Sequence, residues 1–196
     1  MNEIKLAGEI VGNIEYSHEV LDDKFYKFSL ATRRNSGYID VLNCIIPQSK
    51  VSKLQKETKV QLVGEVQTRN VTDEAGIRHL EVFIFVHDVL DYIEDMNNVK
   101  ITAFVCKPTN HRETPRGRII TDIMLASNRK NKRKSDYIPS ISWGKNAVKA
   151  KDYSVGVQIE AVGRLQSRDY FKKLENGAEE MRVAYELSIA DIDEVI

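Results

Sequence analysis

Residues 157–171, VQIEAVGRLQSRDYF, hold the pattern that decides the fold. Val157, Ile159, Ala161, Gly163 and Leu165 fall on one side of a period-two alternation, and Gln158, Glu160, Arg164, Gln166 and Arg168 take most of the other. That is a β-strand with one face in a core and the other open to water or a ligand. Gly163 removes a side chain from the packed face, which suits a sharp bend or the close approach of another strand. The open face carries two guanidiniums and an amide, then runs into Asp169-Tyr170-Phe171-Lys172-Lys173. Cations beside exposed rings suit a flexible polyanion with stackable bases. An amphipathic strand with a solvated edge has the same pattern, so this stretch alone leaves both readings open.

A weaker copy of the strand lies upstream. Residues 59–70 read KVQLVGEVQTRN, and Leu62–Arg69 aligns with Ala161–Arg168 at an offset of 99. Leu30–Arg34 matches Leu125–Arg129 at 95, Asp40–Ile46 matches Asp136–Ser142 at 96, and Asp88-Val89 matches Asp191-Ile192 at 103. A period near a hundred residues means two diverged copies of one domain rather than a solenoid, and 196 residues accommodate both. The expected domains are residues 1–95 and 96–196, with Asp91–Asn98 a linker too short to let them tumble freely.

Within the first copy, alternation and turn signals predict strands over Met1–Val11, Phe25–Arg34, Tyr38–Ile46, Lys59–Asn70 and Ile77–Val89, with a short helix over Ser49–Lys56. The second copy repeats the plan: Val99–Cys106, Ile119–Arg129, Asp136–Trp143, Val155–Phe171 and Met181–Ile192, with a helix over Asn146–Lys151 and a loop over Lys107–Arg116. Five strands with one short helix between the third and fourth is the order of the OB-fold, a small Greek-key barrel. The expected fold class is therefore all-β, two OB-fold barrels in tandem. In the strand Ile77–Val89, Phe83 and Phe85 sit opposite Val82, Ile84 and Val86, so a second apolar face needs a cover. An interface between repeats or between chains is the expectation.

Composition narrows the function. No apolar run reaches the ~20 residues of a membrane span, and MNEIKLAGEIV lacks the features of a signal peptide. Two cysteines, Cys44 and Cys106, sit one per copy with no framework spacing, which fits a reduced, cytoplasmic chain. His18, His79, His87 and His111 are scattered and form no metal spacing with them. A phosphate loop followed by Lys-Ser/Thr is missing, and the acid pairs Asp22-Asp23 and Glu179-Glu180 lie in turn-like segments, so the expectation is no enzyme, no metal and no cofactor. Net charge is zero, yet residues 1–97 hold 11 Lys+Arg against 16 Asp+Glu, a net −5, and residues 98–196 hold 18 against 13, a net +5. A polyanion should prefer the second copy.

The binding features concentrate there. Arg129-Lys130-Asn131-Lys132-Arg133-Lys134 packs five cations into six residues at the hairpin between the second and third strands. In this fold that hairpin stands beside the barrel's binding face, where cations track a phosphate backbone. Tyr137 and the sole tryptophan, Trp143, follow on the next strand, and either ring can stack a base.

Asp136–Lys145, DYIPSISWGK, followed by Ala161–Tyr170, AVGRLQSRDY, resembles the bacterial single-stranded DNA-binding protein family. Its members show an aspartate-aromatic-isoleucine strand ending in Trp/Phe-Gly-Lys and then a VEGRLQTRSY-like strand. The first copy is more loosely similar, through Leu6-Ala7-Gly8, Phe28–Thr32 and Val63–Arg69. It departs where Pro47 replaces the counterpart of Trp143 and Val71 that of Tyr170. The sequence ends at Asp191–Ile196 without the family's acidic tail, so recruitment of replication proteins through such a tail is not expected, and a plasmid, phage or accessory version, or a relative of the primosomal proteins, fits as well.

The resemblance implies a non-catalytic protein for single-stranded DNA, with RNA as the alternative ligand and weak sequence preference. Cationic contacts are expected from Arg129, Lys130, Lys132, Arg133, Lys134, Arg164 and Arg168, and from Arg33, Arg34 and Arg69 of the first copy. Stacking is expected on Tyr137, Trp143, Tyr170 and Phe171. Family members commonly assemble four barrels, so a homodimer is implied, with Phe83 and Phe85 as interface residues. The competing reading is an OB-fold protein–protein adaptor of a primosome or conjugation complex with little affinity for nucleic acid.

Overall fold

The computed structural model describes residues 1–72, 76–130, 133–173 and 177–195. In the first half these form β1 (Asn2–Val20), β2 (Asp23–Arg33), β3 (Ile39–Pro47), α1 (Gln48–Val51), β4 (Lys59–Thr72) and β5 (Arg78–Asp91). The second half holds β6 (Met96–Val105), β7 (Asn110–Glu113), β8 (Ile119–Asn128), β9 (Ser135–Trp143), α2 (Gly144–Ala150), β10 (Gln158–Lys173) and β11 (Glu179–Glu194). The chain is all-β apart from the two short helices.

Each half closes on itself. In the first, β1 pairs β2, β2 pairs β3, β3 pairs β5 in parallel, β5 pairs β4, and β4 returns to β1. In the second, β6 pairs β8, β8 pairs β9, β9 pairs β11 in parallel, β11 pairs β10, and β10 returns to β6. Closure leaves few free strand edges. The rings fill with the alternating apolar positions of the sequence: Ile4, Leu6, Leu30, Leu42, Leu62 and Ile84 in the first half, Ile101, Leu125, Ile138 and Leu187 in the second, all buried. They are joined through β1 and β6, which run antiparallel from Asn2 opposite Ile101 to Ala7 opposite Met96. Because residue 2 corresponds to residue 97, this pairing relates the halves as a two-fold axis relates identical subunits.

Glycines sit where the rings turn tightest. Opposite Gly64 the ladder skips His87, and opposite Gly163 it skips Ala190. These are β-bulges, which bend a strand sharply. A Cβ on Gly163 would lie 2.2 Å from the Ser188 carbonyl oxygen, and one on Gly64 would lie 2.3 Å from that of Phe85. The obstacle is backbone, so it cannot swing aside. Gly163→Ala is expected to cost about 1–3 kcal/mol as overpacking, read as a lowered Tm; an unchanged Tm would show that β10 and β11 part freely.

Four features differ from the sequence expectations. β1 continues to Val20 instead of ending near Val11, because Gly12 takes a left-handed φ of 74° and lets the strand bend and go on. Leu21 and Asp22, at φ 49° and 66°, then make the two-residue turn into β2. The expected loop 107–116 contains β7, paired to β8 between Pro108 and Pro115. α1 spans four residues rather than Ser49–Lys56: beyond it the Lys53 and Leu54 N–H groups donate to the Lys50 and Val51 carbonyls, three residues back, so the chain tightens into turns instead of continuing the helix. The second apolar face of β5 is covered from within the first half. Phe83 is 5% exposed with the Arg69 guanidinium 5.4 Å from its ring centre, and half-buried Phe85 meets Phe25 on β2 and His87. Among the described residues no helix is long and apolar enough to cross a membrane.

Candidate nucleic-acid interface

The residues at the base of the β2–β3 and β8–β9 hairpins are bonded to the opposite half. In the first, Arg34 donates from Nε and Nη2 to the Asp40 carboxylate at 2.6 and 2.5 Å, and from Nη2 to the Ser167 carbonyl at 3.0 Å. Ser167 returns its N–H and its hydroxyl to Asp40 at 2.7 and 3.1 Å. In the second, Arg129 donates to both Asp136 oxygens at 2.8 and 2.6 Å and to the Thr68 carbonyl at 3.1 Å, while the Thr68 N–H donates to Asp136 at 2.6 Å. Asp40 and Asp136 are 0% and 1% exposed. Buried charge persists only when paired and hydrogen-bonded. The base of each hairpin is therefore tied to the other half, Arg34 and Asp40 to β10 and Arg129 and Asp136 to β4.

A cleft of about 1310 Å³ opens where the first-half hairpin meets the second half. Arg33, Arg34 and Tyr38 line it from the first half, and Trp143, Arg164 and Arg168 from the second, together with Arg112 and Arg118 of the β7–β8 hairpin. Six of the lining residues are arginines, Arg33, Arg34, Arg112, Arg118, Arg164 and Arg168, against the four acids Asp40, Asp95, Asp169 and Glu186. Asp40 is spent on Arg34, and Glu186 receives the Gln166 amide at 2.9 Å with Arg168 at 3.7 Å. Arg164 finds an amide instead, the Gln166 oxygen at 3.2 Å. Burial and then the nearby Arg34 cation lower its proton affinity, whereas the hydrogen bond to Asp40 raises that of Arg34. Both stay charged, since arginine does not lose its proton in proteins. Two cations from opposite halves thus line one cleft and repel each other, a repulsion that a bound anion would relieve.

The same face of the first half has the opposite content. Glu65 stands at the counterpart of Arg164 and Pro47 at that of Trp143. The counterpart of Arg168, Arg69, is ion-paired to Glu81 and laid on Phe83. Its smaller hollow, about 360 Å³, is lined by Phe83, Arg69, Glu81 and residues of the β1–β2 hairpin.

The model of the single-strand binding protein family matches residues 96–193, half of the chain. The chain belongs to that family. Two solved structures cover the whole of it with TM-scores of 0.78: the wild-type single-stranded DNA binding protein from Thermus aquaticus, at 16% identity over 93% of that chain, and a deletion mutant of the same protein, at 14% over 95%. At those identities the likeness is one of fold. No curated protein matches the sequence.

Of the residues expected from the sequence to bind nucleic acid, the cleft brings together Arg33, Arg34, Trp143, Arg164 and Arg168. Trp143 is 37% exposed at the start of α2, so it lies at the surface and not in the core. Arg129 is held at the junction of the halves with a side chain 11% exposed, and Arg69 lies over Phe83. Lys130, Arg133 and Lys134 belong to the second hairpin, and Tyr137 beside them is 49% exposed. Lys132 lies outside the described residues. Tyr170 and Phe171 are exposed on the β10–β11 hairpin, beyond the cleft lining, with Arg168 6.0 Å from the Tyr170 ring centre. Sequence reasoning missed Tyr38, Arg112 and Arg118. Tyr38 follows the turn Asn35-Ser36-Gly37, Arg112 sits in the stretch read as loop, and Arg118 falls between that loop and the next strand. Only their residue types, a ring and cations, could have drawn attention to them.

Proposed function

We propose that this chain is a non-catalytic single-stranded DNA-binding protein built of two OB-folds in tandem, divided near residues 95 and 96, whose principal site is the arginine-lined cleft. The observation that carries the reading is one cleft that holds Arg34 and Arg164, from opposite halves, beside solvent-open Trp143: phosphates relieve the two cations and bases stack on the ring. Family membership and the ring order of the strands support it. The service is DNA replication, repair or transfer between cells or replicons, and two chains would supply four barrels, using a surface other than buried Phe83.

The test is titration of the full chain into fluorescently labelled oligo-dT, read by anisotropy at several salt concentrations. Binding is expected to weaken with salt by roughly 0.7 log unit per log unit of salt for each phosphate neutralised. Absence of binding even at low salt would sink the proposal and leave the protein–protein adaptor as the reading.

A further inference from the structure

We infer that Tyr38, supplied by the first half, is a base-stacking residue of the cleft over the second half, and that buried Asp40 positions it through Arg34; this rests on the proposal that the cleft holds single-stranded DNA. Tyr38 lines the cleft with 44% of its surface exposed. The Arg34 guanidinium lies 4.4 Å from its ring centre and takes one face of the ring. The exposed remainder leaves room for a second planar group, giving the order guanidinium, phenol, base. A cation on one side of an aromatic ring adds to its hold and fixes its tilt, and stacking on the other side tolerates any base.

The ring is not on a loose loop. The Arg34 N–H donates to the Tyr38 carbonyl at 2.8 Å, and the Gly37 N–H donates to the Arg34 carbonyl at 2.8 Å, closing the turn on itself. Asp40, two residues further on and fully buried, receives both Arg34 nitrogens together with the N–H and hydroxyl of Ser167. Ser167 lies between Gln166 and Arg168 on β10, the strand that carries Arg164 and Arg168. One chain of interactions, Ser167 to Asp40 to Arg34 to Tyr38, thus sets a first-half ring against second-half cations. The second hairpin has Lys134 at the counterpart of Tyr38, so among the described residues this arrangement occurs once.

Anisotropy with labelled oligo-dT and the full chain tests it. Tyr38→Ala should weaken binding roughly 5- to 150-fold, the range for one stacked base, with the salt slope unchanged, while Tyr38→Phe should bind like the parent. In a chain carrying Trp143→Phe, Tyr38→Trp should lose emission when oligo-dT is added. Asp40→Asn should weaken binding as Tyr38→Ala does, and the two changes together should do no more than either alone. If Asp40→Asn does not fold, Arg34→Lys reads the same link, because it keeps a charge opposite Asp40 and removes the planar group from the ring. Parent-like affinity of Tyr38→Ala with unquenched emission overturns the stacking role. A lowered Tm with parent-like affinity in Asp40→Asn overturns the positioning role. If the parent chain fails to bind oligo-dT, the function of the cleft and this inference fall together; if only the variants behave like the parent, the inference falls alone.

Discussion

Asp136→Ala is expected to destabilise the folded chain by about 3–5 kcal/mol, the cost of stripping one partner from a buried ion pair. Asp136 is 1% exposed and accepts three hydrogen bonds, two from Arg129 and one from the Thr68 N–H. Alanine leaves the Arg129 guanidinium, itself 11% exposed, without a counter-charge, and leaves the buried Thr68 amide without its acceptor. For a chain of this length the loss corresponds to a fall in Tm on the order of 10 °C. Asp40→Ala should do the same through Arg34 and Ser167. Changing Arg129 and Asp136 together to Met and Leu should return much of the loss, because no charge then remains buried. Urea or thermal unfolding decides the matter: a parent-like midpoint for Asp136→Ala would mean that Arg129 finds water at the junction and that the ion pair does not hold the halves.

That ion pair also marks the limit of what the sequence showed. The strands announced themselves through period two, and the repeat announced the two rings, because both are local or near-local patterns. Gly163 stood out for the same reason, as a lone interruption of a packed face. Nothing local told Arg34 from Arg33, or Arg129 from Lys130. Each pair reads as adjacent cations at a hairpin, and the member that is buried is chosen by Ser167 or Thr68 in the other half. Position in the alternation was the available clue: Asp40 and Asp136 fall on the inward side of their strands, and a carboxylate placed there must find a cation. Phe83 and Phe85 were legible as a face needing cover, but the cover, Phe25 on an extended β1–β2 hairpin, depended on Gly12 letting β1 run on. The charge split between the halves was legible too. Its arrangement was not, since the cleft takes arginines from both the acidic and the basic half.

The second large effect separates the two kinds of interaction in that cleft. Arg164→Glu gives the second half the residue that the first half carries at Glu65. It removes the cation that shares the cleft with Arg34 and sets a carboxylate among the acids already lining the site, Asp169 and Glu186. Binding to oligo-dT should fall by more than tenfold at low salt, and the salt slope should flatten by roughly 0.7 for each phosphate no longer neutralised. Trp143→Ala should fall by a comparable amount, about 1–3 kcal/mol for one stacked base, yet keep the parent slope, because no counterion is released on its account. Trp143 is the sole indole in the chain, so emission follows that one site, and oligo-dT should quench it in the parent and in Arg164→Glu once enough is added. A slope that flattens in Trp143→Ala, or emission that ignores bound oligonucleotide, would place the strand's path outside the cleft. The cations would then have to be sought on the hairpin of Lys130, Arg133 and Lys134.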